Sequence, residues 1–304
     1  MEKSRSVVGM LVAAALGLSS AARAQPPRAG ASSLASLDQA FERSLMKKTH
    51  GHGALVPIHR GRPGGTTAIL VHGIPGAPSS LAPLMESEID AGSTVHAFAY
   101  DNRFRSLEES SADLAASIER WMDEHPQQPL RLDAHSMGGR LALGALDLLG
   151  RRHRLNRAIE LNLIASPIAG TRSAVFALAA PVFLPFMRPL RGVAPTSQYQ
   201  KMIDALRLPE CVTVRVFVGG SDRVFEQTTK RYRHLVETLH GTLSVVADAT
   251  HTSILDGWLT CGDTFGPVCD GLRATPCPFL GPDNAPALDA HGLAPQRDCL
   301  RLGL

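Results

Sequence analysis

The sequence predicts an α/β fold, in which helices cover both faces of a mostly parallel central sheet. Short apolar, β-branched runs alternate with segments of helical length through the middle of the chain. Consecutive parallel strands need a crossover connection, so this alternation favours a sheet with helices on both sides. The chain has 304 residues, 44% hydrophobic and 19% charged, which suits one large domain or two small ones. A mean hydropathy of zero argues against a polytopic membrane protein.

The first 24 residues have the pattern of a secretory signal peptide. Lys3 and Arg5 precede a charge-free apolar run at residues 7–18, and Ala22, Arg23 and Ala24 form a small-x-small cleavage site. Twelve residues are too few to cross a bilayer, which needs about 20. The sequence therefore predicts a secreted or periplasmic bacterial protein. Three of the 31 basic and one of the 28 acidic side chains lie in this segment, so the rest has a net charge of about +1 and no basic face for nucleic acid.

The remaining chain divides into four predicted parts. Residues 25–52 are an N-terminal lead-in, 53–260 the α/β domain, 168–210 an insertion within that domain, and 261–304 a C-terminal tail. Strands are predicted at residues 67–72, 93–100, 130–134, 161–165, 212–218 and 243–247.

The clearest predicted helix begins after Ser106. This serine is a predicted N-cap, and Glu109 three residues later completes a capping box. Four apolar side chains share one face of the helix at the expected spacing: Leu107, Leu114, Ile118 and Trp121.

The segment around Ser136 is the strongest indication of chemistry. Ser136 follows a predicted strand, a helical pattern starts at once, and small residues lie two positions before it (Ala134) and two after it (Gly138). A serine in such a tight turn takes a strained backbone conformation that lifts its hydroxyl clear of the sheet. The flanking positions must be small because the chain folds back on itself there. A structural turn with an inert serine is the alternative.

A second loop, at residues 72–76, follows the first predicted strand and has the sequence His-Gly-Ile-Pro-Gly. Acyl transfer needs two N–H donors at the carbonyl oxygen that becomes negative. The backbone N–H of Met137 is one candidate. Ile74 is the other, since Pro75 has no N–H. An ordinary Gly/Pro turn is the alternative for this loop.

A serine nucleophile needs a base, and the base needs a carboxylate to orient it. Asp222 lies directly beyond a late strand, and His251 lies beyond the last one. In a parallel sheet the loops at the carboxyl ends of the strands open on one edge, so Ser136, Asp222 and His251 can meet there.

Other side chains compete for these roles. Asp248 is nearer to His251 in sequence, but it sits in a strand-end turn that it can simply cap. His135 adjoins the serine but points away from it if the turn is tight. His50 and His52 flank a glycine in a loop, where solvated side chains are more common than metal ligands.

Together these segments resemble the α/β-hydrolase superfamily, and within it the secreted bacterial serine lipases and esterases. The resemblance covers residues 53–260 and rests on segments 72–73, 134–139 and 219–222 together with His251. Segments 164–171 and 194–197 are similar to lipase turns. The resemblance implies a sheet of about eight strands, with Ser136 as nucleophile, His251 as general base and Asp222 as its orienter. The departure is Ala134 for the usual Gly, which keeps the small volume.

The predicted insertion and the C-terminal tail each have a composition that suggests a separate role. Residues 174–187 are apolar, which suits a cap or lid beside an active site, or a helix pair that completes the core. Arg188 and Arg191 after this run suit contact with a lipid surface. The tail holds Cys261, Cys269, Cys277 and Cys299, which suit two disulfides in an exported protein, with their pairing open and Cys211 as a fifth cysteine. A zinc site with His291 is the alternative, although no C-x-x-C pair is present.

The function predicted from the sequence is a secreted serine carboxylester hydrolase of the lipase or esterase type, acting on an ester or lipid. An acyltransferase or amidase with the same residues remains an alternative, as does a non-catalytic binding protein of the same fold. No nucleotide loop, metal motif or flavin fingerprint is present in the sequence, so no cofactor is implied. No protein partner is implied either.

Overall fold

The computed structural model describes residues 34–171, 188–222, 224 and 229–256. The predicted signal peptide, the tail and the apolar run 174–187 lie outside the described residues. The strands are β1 (Ala54–His59), β2 (Thr67–Val71), β3 (Thr94–Ala99), β4 (Leu130–His135), β5 (Ile159–Ile164), β6 (Val212–Gly219) and β7 (Thr242–Val246). The helices are α1 (Gln39–Lys48), α2 (Ala82–Asp90), α3 (Leu107–Glu124), α4 (Met137–Arg151), α5 (Arg188–Val193), α6 (Gln198–Ala205) and α7 (Lys230–Thr238), and a 3₁₀ turn, Pro78–Leu81, precedes α2.

One sheet contains all seven strands, in the order β1-β3-β2-β4-β5-β6-β7. β1 pairs with β3 antiparallel, and every other pairing is parallel. The predicted fold class is confirmed, with seven strands in the described part of the chain where about eight are implied by the resemblance. The strand order changes direction at β2, because β3 lies on one side of it and β4 on the other. Open parallel sheets bind ligands in the crevice at such a point.

All six predicted strands are present, with ends that differ by one or two residues. The added strand is β1, the antiparallel edge. It has a proline, Pro57, and mostly half-buried side chains in place of a continuous apolar run. Edge strands tolerate proline because one row of their backbone groups is not paired within the sheet.

The predicted capping box of α3 is confirmed. The Ser106 hydroxyl accepts from the Glu109 N–H at 3.2 Å, and the Glu109 carboxylate accepts from the Ser106 N–H at 2.8 Å. The apolar face is buried as the spacing predicts: Leu107, Leu114, Ile118 and Trp121.

The two faces of β4 differ in chemistry. One face contributes apolar side chains to the core layer formed with α3 and α4: Leu130, Leu132 and Ala134. Successive strand residues point to opposite faces, so Arg131, Asp133 and His135 lie on the other side. On that side Arg131 pairs with Glu88 of α2 at 2.9 Å. A line of polar side chains therefore runs beneath the sheet and ends at the residue before Ser136.

A buried arginine links α4 to the chain just before and within the predicted insertion, residues 168–210. Arg140 of α4 is fully buried and donates to the carbonyl oxygens of Pro167 at 2.8 Å and Gly192 at 2.7 Å. It also donates to the side-chain oxygen of Gln200 at 2.7 Å. Burial lowers the pKa of Arg140 to about 10, so the guanidinium still carries its charge at neutral pH. None of the described helices is both long and apolar enough to cross a membrane.

Candidate active site

Ser136 is the single residue between β4 and α4. Its backbone has φ 55° and ψ −128°, a left-handed value of φ that non-glycine residues seldom adopt. The Ser136 N–H donates to the Ile164 carbonyl at 2.8 Å, which fixes this conformation against β5. Strain of this kind persists only where the surrounding structure determines it, and it is common at functional sites.

The small residues around Ser136 have a steric reason. A Cβ atom added to Gly73 would lie 2.6 Å from the Ser136 Cβ and 3.0 Å from its hydroxyl oxygen. A Cβ atom on Gly138 would collide with the carbonyl oxygens of Val71 and His72. The 72–76 loop therefore packs directly against the serine, and only glycine permits this approach. Ala134 is fully buried.

The three side chains predicted as nucleophile, base and orienter lie together. The Nε2 atom of His251 is 2.9 Å from the Ser136 Oγ, and its Nδ1 atom is 2.9 Å from the Asp222 Oδ2. The Asp222 side chain is fully buried and the His251 side chain is 8% exposed. Since the carboxylate accepts from Nδ1–H, Nε2 faces the serine hydroxyl as an acceptor.

Backbone hydrogen bonds join the loops that carry the acid and the base. The Ser221 N–H donates to the Ala249 carbonyl at 3.0 Å, and the Gly220 N–H donates to the Val246 carbonyl at 2.8 Å. The second Asp222 oxygen accepts from the Val224 N–H at 2.8 Å. The loop after β6 and the turn after β7 therefore form one unit, which sets the distance from Asp222 to His251.

His135 supports this unit from below. Its Nε2 atom lies 2.9 Å from the His251 carbonyl oxygen, and the two rings are 5.0 Å apart. Burial, together with the charge of His251, lowers the pKa of His135 to about 3. The ring is therefore neutral at ordinary pH and donates through Nε2. No local pattern predicts this contact, because it joins residues 116 positions apart.

The competing residues lie elsewhere. Asp248 is exposed, with φ 58°, in the turn after β7, and His251 pairs with Asp222 instead. His52 is 65% exposed and pairs with Asp113 at 3.0 Å. His50 is in the preceding turn with φ 53°. Within the described residues no group of three or more His, Cys, Asp or Glu side chains is placed to hold a metal ion.

One predicted oxyanion donor follows Ser136 directly in the chain, and the other lies in the loop whose Gly73 packs against Ser136. Met137 is the first residue of α4, so its N–H belongs to the positive end of a 15-residue helix. Ile74 follows Gly73 in the loop that packs on the serine. The structure gives neither amide a hydrogen-bond acceptor among the described residues. Both amides are thus suitable donors to a negative oxygen that forms beside Ser136.

No protein-family model matches the chain, and no curated protein sequence matches it. Among solved structures, it is similar to the Bacillus licheniformis lipase BlEst2 in mature form. The TM-score is 0.52 at 16% identity, over 73% of this chain and 98% of that one. MGS-MChE2 is an alpha/beta hydrolase from a lagoon-sediment metagenome of Mar Chica, Morocco. The chain matches it with a TM-score of 0.48 at 16% identity, over 68% of this chain and 90% of that one. The type II thioesterase BorB from the borrelidin biosynthetic cluster is matched with a TM-score of 0.48 at 17% identity, over 72% of this chain and 96% of that one.

The similarity to the Bacillus licheniformis structure, together with the sheet order and the serine turn, defines the class of architecture. The chain has the fold of the α/β-hydrolase superfamily. The resemblance inferred from the sequence is confirmed at this level.

Proposed function

We propose that the protein is a serine carboxylester hydrolase that acts through an acyl-enzyme on Ser136. The observation that supports this proposal is the continuous hydrogen-bonded series from Ser136 through His251 to Asp222, with 2.9 Å at each step. A serine in a strained turn, next to two available backbone amides, adds the remaining parts of acyl-transfer chemistry.

In the first half of the reaction, Nε2 of His251 takes the Ser136 hydroxyl proton as Oγ attacks the ester carbonyl carbon. The Asp222 carboxylate stabilises the positive charge that develops on the imidazole. The carbonyl oxygen becomes negative and accepts hydrogen bonds from the Ile74 and Met137 amides. His251 then gives the proton to the alcohol oxygen, the carbon–oxygen bond breaks, and the acyl group stays on Oγ.

In the second half, a water molecule replaces the alcohol. His251 takes a proton from the water as its oxygen attacks the acyl carbon, and the same two amides hold the negative oxygen. Collapse of this intermediate breaks the bond to Oγ, which recovers its proton from His251. The carboxylic acid leaves, and the enzyme returns to its starting state.

The substrate and the location of the protein are part of the proposal. We propose an ester or lipid substrate, contact with a lipid interface, and export after cleavage between residues 24 and 25. N-terminal sequencing of the protein from periplasm and culture medium tests the export. A mature chain that begins at Gln25 is expected, and an intact N-terminus in cytosol alone would contradict it.

The direct test compares wild type with Ser136→Ala on p-nitrophenyl esters from acetate to palmitate. Loss of the nucleophile should lower kcat by about 10⁴-fold or more. Ser117→Ala, a buried serine of α3, is the matched control and should keep full activity. The preferred chain length separates an esterase from a lipase.

Two results would contradict the proposal. Near-native activity of Ser136→Ala would remove the serine from the reaction. A folded wild type that hydrolyses no ester would favour an amide substrate, another acyl acceptor or a binding role. Labelling of Ser136 by a fluorophosphonate distinguishes the catalytic alternatives from the binding one.

A further inference from the structure

The loop at residues 72–76, here called the oxyanion loop, must hold the Ile74 amide in place. Gly73 lies against Ser136, so a shift of the loop would move Ile74 relative to the nucleophile. Misplacement by about 1 Å can cost about 100-fold in rate. The residues that hold this loop therefore affect catalysis without touching the substrate.

Two side chains of the N-terminal helix α1 contact the oxyanion loop on either side of Ile74. The Gln39 side-chain amide donates to the Pro75 carbonyl at 2.6 Å. A Glu42 carboxylate oxygen lies 2.7 Å from Nε2 of His72. The two residues are three positions apart, so they share one face of the helix.

The Glu42 contact is deeply buried. The His72 side chain has no exposed surface and the Glu42 side chain is 8% exposed. Nδ1 of His72 also faces an acceptor, the Gly73 carbonyl, at 2.9 Å. Each ring nitrogen of His72 therefore lies within hydrogen-bond distance of an oxygen atom, one on α1 and one in the oxyanion loop itself. The Tyr100 N–H donates to the same carboxylate oxygen at 3.1 Å, which holds the Glu42 side chain beside His72.

The Gln39 contact has a direction that can be tested. Its amide nitrogen donates to Pro75, while its oxygen accepts from the Arg103 guanidinium at 2.7 Å. Arg103 therefore fixes which end of the amide faces the loop. A glutamate at this position would keep the pair with Arg103 and lose the donor.

We propose that Gln39 and Glu42 are positioning residues that hold the Ile74 amide where the oxyanion forms. The inference rests on the proposed hydrolase function and extends it to a helix that lies outside the sheet and ahead of its first strand. Neither residue touches the reacting atoms, and both act through the oxyanion loop.

The main test uses Gln39→Ala and Gln39→Glu in the mature protein, with Gln128→Ala as the matched control. Gln128 is a half-buried glutamine that contacts Thr67 at the opposite end of the sheet. Both Gln39 variants should show about tenfold lower kcat with little change in KM. Each should bind phenylboronic acid, which forms a tetrahedral serine adduct, more weakly by a similar factor. Gln128→Ala should match wild type.

Hydrogen–deuterium exchange of peptides that cover residues 72–78 gives a readout that needs no activity. Faster exchange in this segment is expected for both Gln39 variants, with unchanged exchange in β5 and β6. Equal effects of Gln39→Glu and Gln39→Ala would assign the role to the donor, since glutamate keeps the size of the side chain. Wild-type behaviour of Gln39→Glu would show that Gln39 only packs, which would overturn the proposal.

Glu42 is tested by a pair of variants, because its loss leaves a buried His72 without its carboxylate. Glu42→Gln keeps an acceptor for His72 and should lose less activity than Glu42→Ala. Equal losses, or loop exchange that stays at the wild-type rate in all four variants, would overturn the proposal. The proposal would also be overturned if exchange in the oxyanion loop became faster in these variants while their kcat stayed at the wild-type value. If wild type hydrolyses no ester, the hydrolase proposal fails, and the exchange data alone still decide whether α1 holds the loop.

Discussion

The two loops that flank Ser136 are held in different ways. The oxyanion loop is held by side chains from distant segments: Gln39 and Glu42 from α1, and Asn102, whose amide donates to the Gly76 carbonyl at 2.7 Å. The loops that carry Asp222 and His251 are held mainly by backbone hydrogen bonds to each other. His135 adds one side-chain contact beneath His251.

The difference bears on which substitutions each side tolerates. Backbone hydrogen bonds survive most changes of side chain. The loops that carry Asp222 and His251, here called the base side, should therefore depend on glycine positions and on Asp222 and His251 themselves. The oxyanion loop, here called the oxyanion side, depends on side chains from two other segments. Its geometry should therefore respond to substitutions far from Ser136 in sequence.

Among the substitutions that test this difference between the two loops, the largest effect is expected from Gly73→Ala, which places a methyl group 2.6 Å from the Ser136 Cβ. The oxyanion loop or the serine must move, so kcat/KM should fall about 100-fold. Gly150→Ala is the control, since its new Cβ meets only Leu155 at an ordinary 3.5 Å. Activity near wild type for Gly73→Ala would show that the fit between loop and serine is loose, and the contrast between the two sides would disappear.

The next effect concerns the base side and acid stability. The pKa of His135 is about 3 in the fold, well below its value in the unfolded chain, about 6.5, so the unfolded state binds the extra proton first. The contribution of neutral His135 is complete above pH 6.5 and is lost as pH falls toward 3, at up to about 1.4 kcal/mol per pH unit. Urea unfolding at pH 7.5, 5.5 and 4.5 should show a shallower decline for His135→Gln.

The control for this change is His234→Gln, because that histidine is 77% exposed. Its unfolding free energy should follow the wild-type pH dependence. At pH 8 we expect His135→Gln to stay within a few-fold of wild-type kcat, since glutamine can also donate to the His251 carbonyl. If the unfolding free energy of His135→Gln fell with pH as steeply as that of wild type, His135 would not gain a proton on unfolding. A large loss of activity in this variant would show that the base side depends on side chains as much as the oxyanion side does.

The smallest effect is expected for a substitution of Asp133, which lies two residues before His135 on β4. Burial, with the neighbouring charge of Glu88, raises the pKa of Asp133 well above its ordinary value. Its ionised form is therefore disfavoured in the fold, and the protein loses stability as pH rises from about 4 through that raised pKa. Asp133→Asn should be more stable than wild type by about 1 kcal/mol at pH 8, with a smaller difference at pH 5.

The local contacts support this sign. The Asn162 amide donates to one Asp133 oxygen at 2.7 Å, while the other Asp133 oxygen and the Asn162 oxygen have no partner among the described residues. An amide at position 133 supplies the missing donor. Asp123→Asn, at a carboxylate that is 62% exposed, should change stability little at either pH. Activity should be unchanged in Asp133→Asn, because the hydrogen bond of the Asp133 side chain goes to Asn162 of β5. A destabilised variant at pH 8 would contradict the assigned direction.

Much of the fold was predictable because its signals are local. Six of the seven described strands appear in the sequence as apolar runs, and the capping box of α3 lies within four residues. Ser136, Asp222 and His251 were expected to lie close together because each follows the carboxyl end of a parallel strand. β1 was missed because an edge strand with a proline and half-buried side chains lacks the apolar run that marks a central strand.

The supporting contacts were not predictable, because each depends on a long-range approach. Glu42 is a charged residue in a polar helix, and its burial against His72 joins segments 30 positions apart. Arg140 follows two glycines in α4, and only the packed structure makes it a fully buried donor to Pro167 and Gly192.

The sequence by itself determined the α/β class, the turn that presents Ser136, and the identity of the residues that meet at one edge of the sheet. Strand periodicity and the small size of Gly73 and Gly138 carry that information, since they act over a few residues. Only the tertiary structure decided how the site is supported. The roles of Gln39, Glu42 and His135 arise from distances between elements, which are set by how the helices pack on the sheet and not by any local pattern.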